Sequence, residues 1–68
     1  MQPKHSIEME PLLRPEQAAE LLGMTPRALE AWRHRRQGPP FIRTQRAIRY
    51  APADLRAWIE QQRRGNLR

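Results

Sequence analysis

The chain has 68 residues, enough for one small domain whose core must draw on few aromatic residues: Trp32, Phe41, Tyr50 and Trp58. It has no cysteine, which excludes a disulfide and a thiolate metal site; no apolar run approaches a membrane span, and MQPKHSIEMEP lacks the apolar block of a signal peptide. A soluble cytoplasmic protein is therefore expected, and its net charge of +6 is unevenly placed: residues 25–50 hold seven arginines against Glu30 alone, whereas residues 1–24 are net acidic.

Residues 1–11 mix Pro3, Pro11, Lys4 and acidic residues without periodicity and are expected to form a disordered arm. Leu12 and Leu13 open the ordered part. Pro15 suits a first helical position and Glu16 the positive end of a helix; Ala18, Ala19, Leu21 and Leu22 then predict a helix of about two turns. Gly23 supplies the left-handed backbone that ends it, and Ala19, four residues earlier, is small enough for a second helix to cross closely. That second helix begins at Thr25, a good N-cap, followed by Pro26. Met24 before the cap and Leu29 at the fourth position have the spacing of a hydrophobic staple, and Ala28, Leu29 and Trp32 form its buried stripe. Gly38, Pro39 and Pro40 are expected to terminate it.

FIRTQRAIRY predicts a short hairpin turning near Thr44-Gln45-Arg46, with Phe41, Ile48 and Tyr50 packing on the helices. A last helix is predicted from Pro52 to about Gln62, with Asp54 at its start and Leu55, Trp58 and Ile59 on one face. Arg63 to Arg68 are expected to be a basic flexible tail. The predicted fold is mainly α with a small β-hairpin, a winged helix-turn-helix over residues 12–62.

QAAELLGMTPRALEAW thus places each residue class where a helix-turn-helix needs it, and such a unit presents its second helix to the major groove of double-stranded DNA. At 100° per residue the face opposite the buried stripe carries Arg27, Glu30, Ala31 and His34, the candidates for base edges, with Arg27 suited to fork onto guanine and Glu30 to accept from cytosine. Glu30 reads equally well as a solvated charge or a partner for a nearby arginine. Arg33, Arg35 and Arg36 suit phosphates or the negative end of the helix dipole, and Thr25 can combine capping with a phosphate bond. In the hairpin Arg43, Arg46 and Arg49 alternate with apolar residues, as expected if one face packs and the other meets DNA; Arg46 is the candidate for the minor groove and Arg49 for phosphate. Tyr50 is expected in the core, with a hydroxyl in reach of the backbone as the other reading; Trp32 and Trp58 are expected in the core.

AAELLG, the capped TPRALEAW, GPPF, IRY and DLRAW occur in the order in which the excisionase and AlpA-type winged helix-turn-helix proteins carry them, and from Leu12 to about Ile59 the chain resembles that family, related to the DNA-binding half of MerR-like regulators. The resemblance implies a recognition helix from Pro26 in the major groove and a wing from Phe41 to Tyr50 on backbone or the adjacent minor groove. Two departures stand out. Arg14 occupies a position where the family usually has Ser or Thr, and it cannot accept a bond from the helix amides, which weakens the first helix by about 1 kcal/mol. Gln45 stands where a wing-tip glycine is common, so the wing turn is expected to differ in shape.

The resemblance leaves two uses open. One is an excisionase-type recombination directionality factor that binds repeated sites and bends DNA beside an integrase. The other is a small, prophage-borne transcriptional regulator. No effector or dimerisation domain is expected within these 68 residues, which suits the architectural role slightly better without deciding between the two, with further copies of itself as expected partners on DNA. An enzyme is not expected: His5 lies in the arm, His34 is expected to have no carboxylate or cysteine partner near it, and no metal-ligand spacing is present. No cofactor, small-molecule substrate or membrane partner is expected either. An RNA-binding or protein-interaction module fits the charge but not the shortage of aromatics for base stacking.

Overall fold

The first helix, α1 (Pro15–Leu22), starts without a side-chain acceptor at its cap, as Arg14 dictates. Its first turn is held from the other direction: the Oε1 of Gln17 accepts from the Arg14 N–H at 2.9 Å, the reciprocal half of a capping box. The deficit expected from Arg14 is therefore partly offset. The computed structural model describes residues 10–65, so the arm expected over residues 1–11 is described only at its end and the tail only at its beginning. There Glu10 forms a forked contact with Arg56, at 3.0 and 3.4 Å.

Gly23 adopts φ 72 and ends α1 as expected, its N–H donating to Glu20 and that of Met24 to Ala19. Next comes α2 (Pro26–His34), capped by Thr25, whose hydroxyl oxygen accepts from the Ala28 N–H at 3.1 Å. Ala18 and Ala19 of α1 and Leu29 of α2 are fully or almost fully buried, so the two alanines set the close crossing and Leu29 fills the space between the helices. Burying a leucine of this kind contributes about 1.5–3 kcal/mol.

Gly38 is not what ends α2. The left-handed residue is Arg36, with φ 60, and around it the N–H of Gln37 donates to the Trp32 carbonyl and that of Arg36 to the Arg33 carbonyl. This is a Schellman closure with an arginine where glycine is usual. Gly38, at φ 87, serves packing instead, because its missing side chain makes room for the Trp32 ring.

Strands β1 (Ile42–Arg43) and β2 (Ile48–Arg49) pair antiparallel, Ile42 opposite Arg49 and Arg43 opposite Ile48. The tip needs no glycine. Neither Gln45 nor Arg46 has positive φ; the Thr44 N–H donates to the Ala47 carbonyl, and the Thr44 hydroxyl oxygen accepts from the Ala47 N–H. Beyond β2, Tyr50 exchanges two 2.8 Å backbone bonds with Leu13, so the segment before α1 adds a third, one-residue rung to the ribbon. The last helix, α3 (Pro52–Gly65), runs past Gln62 and places Arg63 and Arg64, expected in the tail, in its last turn.

Leu29, Tyr50, Leu55, Ala18 and Ala19 form the buried core, with Leu13, Leu22, Met24, Trp32, Phe41, Ile48 and Ile59 packed around it. Trp58, expected in the core, is half-buried and packs on Trp32 at 5.6 Å between ring centroids. Among the described residues no helix is long and apolar enough to cross a membrane.

Candidate nucleic-acid interface

The helical geometry of α2 turns Leu29 inward and leaves Arg27, Glu30 and His34 exposed on the opposite side, with Ala31 half-buried beside them. Glu30 and His34, one turn apart, approach to 3.7 Å, which corrects the expectation that His34 has no carboxylate near it. The pair is solvent-exposed, so it orients two polar groups on the outer face without contributing appreciably to stability. Arg27 is exposed and, among the described residues, takes part in no side-chain hydrogen bond or ion pair, which leaves its guanidinium available. Thr25 keeps its hydroxyl on Ala28 at the N-terminus of the same helix.

Arg33 points elsewhere. It is half-buried, and its Nη1 donates to the Tyr50 hydroxyl at 2.9 Å while the guanidinium carbon lies 5.9 Å from the centroid of the Phe41 ring. Tyr50 is fully buried and its hydroxyl is committed to Arg33, so the reading in which that hydroxyl meets DNA does not hold. Phe41 and Tyr50 lie 6.2 Å apart with tilted planes, forming the aromatic step against which Arg33 rests. Seventeen residues separate Arg33 from Tyr50, and no local periodicity signals the pair.

The ribbon does not present all its arginines to one side. Residues directly opposite in an antiparallel pair share a face, which sets Arg43 with Ile48 and Arg49 with Ile42 on opposite faces. Arg43 faces α2: it helps line one recess with Glu30, Arg33, His34 and Ile48, and its guanidinium carbon lies 5.7 Å from the Phe41 centroid. Arg49 is half-buried, and its Nη1 donates to the carbonyl of Ile48 at 2.8 Å. Arg46 is exposed at the tip, lining a recess of wing residues alone. The expectation that Arg43, Arg46 and Arg49 form one DNA-facing row is thus corrected: Arg43 borders α2, Arg46 stands at the tip, and Arg49 lies on the face opposite Arg43.

Arg35 and Arg36 are exposed where α2 ends. The left-handed conformation of Arg36 costs about 1–2 kcal/mol relative to the right-handed region, a strain that glycine would relieve. It carries the side chain toward Phe41 and Arg43, where both help line a second recess.

A capped helix-turn-helix, a two-stranded ribbon beside the second helix and a closing third helix define a winged helix-turn-helix. The family model described as "Helix-turn-helix domain" matches residues 12–63, and the chain belongs to that family, the excisionase and AlpA-type group that the sequence resembles. A helix-turn-helix is a DNA-binding unit, and the family membership makes DNA the partner of this domain. No curated protein matches the chain.

Proposed function

We propose that this domain reads double-stranded DNA by sequence, with α2 in the major groove and the ribbon as a wing on the neighbouring backbone or minor groove. The observation that carries this reading is the exposed row Arg27, Glu30 and His34 on α2, bordered on the wing side by Arg43, with Arg46 exposed at the wing tip. Arg27 is the reader of guanine, Glu30 of a cytosine amino group or the partner that orients His34. Ala31 between them is small enough to admit a base edge. The domain works by binding and not by catalysis, and requires no cofactor.

Within DNA binding, the role proposed is that of an excisionase-type directionality factor, acting on repeated sites in the bacterial or phage nucleoid, alongside an integrase, by bending the duplex. A single module of this size buries about 600–1,000 Å² of protein on DNA, and neutralising five or six phosphates gives a slope of log K on log salt of about −5. One copy then binds weakly at physiological salt, and side-by-side copies supply the occupancy. Footprinting on genomic fragments, combined with a circular-permutation bending assay, tests this. Expected are repeated protected sites with a bend that grows as copies load. A lone protected site at a promoter without bending assigns the domain to transcriptional control instead, and no protection at low salt overturns sequence-specific binding.

A further inference from the structure

Where α2 meets the wing, Arg33, Arg36 and Arg43 line one concave recess of about 610 Å³ together with Gln37, Gly38 and Phe41, and no carboxylate lines it. Among the described residues none of the three arginines takes part in an ion pair. Two of the guanidiniums, Arg33 and Arg43, lie within 6 Å of the centroid of the same Phe41 ring, whose electron-rich face attracts cations. Arg33 is held in addition by the buried Tyr50 hydroxyl, through one of its five donor hydrogens, so the rest of its fork remains free. Arg36 reaches the recess from a left-handed backbone position that a side chain rarely occupies. Glu30 lies on the neighbouring recess with Arg33 and Arg43 but forms no ion pair with either, so within this recess three cations, two against one ring and one on a strained backbone, repel one another unless an anion joins them.

We propose that this recess is a preformed site for a single phosphodiester group, shared by Arg33, Arg36 and Arg43, and that Phe41 and Tyr50 are positioning residues that set it before binding. The proposal rests on the DNA-binding reading above and adds to it which phosphate contact is shared and what orders it. In the free protein Tyr50 and Phe41 already restrict Arg33, a long side chain whose ordering otherwise opposes binding. The recess fixes the register of α2 relative to the backbone and carries no sequence information itself.

The test has two arms. In the first, arginine Nε–Hε resonances are followed while inorganic phosphate is added to the protein alone. Arg33, Arg36 and Arg43 are expected to shift together and saturably, ahead of Arg27, Arg46 and Arg56, and Tyr50→Phe is expected to reduce the Arg33 response. In the second, affinity for cognate and random duplexes is measured across a salt series. Tyr50→Phe, which keeps the ring in the core, is expected to weaken both duplexes about three- to tenfold, the ordering cost of one long side chain. Phe41→Leu, which keeps an apolar side chain, serves the same comparison if Tyr50→Phe fails to fold. Arg36→Gln and Arg43→Gln each lower the magnitude of the salt slope by up to about 1, and because one phosphate is shared the double variant also loses only about 1. Slopes that add to about 2 in the double variant, or a folded Tyr50→Phe protein with wild-type affinity and Arg33 response, overturn the proposal. A saturable phosphate response in a wild-type protein that binds no duplex sustains the recess and places the failure in the DNA-binding reading.

Discussion

Replacing Gly38 by alanine isolates one tertiary contact. A Cβ at Gly38 would stand 2.5 Å from Cε3 of Trp32 and 3.2 Å from its Cδ2, both ring atoms, and Trp32 packs in turn on Trp58. The backbone at φ 87 adds left-handed strain. That strain amounts to about 1–2 kcal/mol and the forced repacking to about 1–3 kcal/mol, so a loss of about 2–5 kcal/mol is expected. Gly23 is the internal control: its φ is 72 but a Cβ there meets nothing within 4 Å. Gly23→Ala should therefore cost only about 1 kcal/mol, since a smaller unfolded-state entropy offsets part of the strain. A domain of this length has about 3–10 kcal/mol of total stability, so Gly38→Ala removes much of it whereas Gly23→Ala does not. Urea unfolding followed by tryptophan fluorescence measures both, with Trp32 and Trp58 as reporters. Equal midpoints for the two variants would show that the Trp32 contact costs nothing and refute the reasoning.

Three further outcomes follow from the same geometry. Thr25→Ala removes the acceptor for the Ala28 N–H and should lower stability by about 1 kcal/mol, while Thr25→Ser should restore most of it in thermal melts. Arg33→Ala leaves the buried Tyr50 hydroxyl without its partner and should cost about 1–3 kcal/mol of folding stability, whereas Arg27→Ala should leave the melt unchanged and weaken only cognate DNA; equal melting points for the two variants would contradict this division. Arg36→Gly relieves the left-handed strain and should raise stability by up to about 1 kcal/mol while weakening binding to every duplex, a combination read by denaturation and fluorescence anisotropy on the same samples.

Much of the site was legible without coordinates because it depends on short-range rules. Thr25, Pro26 and Met24 announce the start of α2, and helical periodicity then assigns Leu29 inward and Arg27, Glu30 and His34 outward. Gln17, three residues after Arg14, carried a signal of the same local kind: half a capping box can be read from the acceptor side even where the cap residue cannot accept. The wing was legible as a ribbon but not in its facing. Alternation within one strand says which residues oppose each other, but only the register across the pair sets Arg43 and Arg49 on different sides.

The sequence alone therefore determined the element order, the turn at Gly23 and the outward face of α2, since caps, glycine turns and apolar periodicity act within a few residues of the chain. Tertiary structure decided the rest. Arg33 became a bridge because packing brought it to a tyrosine seventeen residues away, Gly38 became a packing residue because Trp32 lies over it, and Arg36 took the left-handed position that glycine usually fills. The first turns on a distance between segments remote in sequence and the other two on the path of the chain through the turn that closes α2, neither of which propensity and periodicity encode.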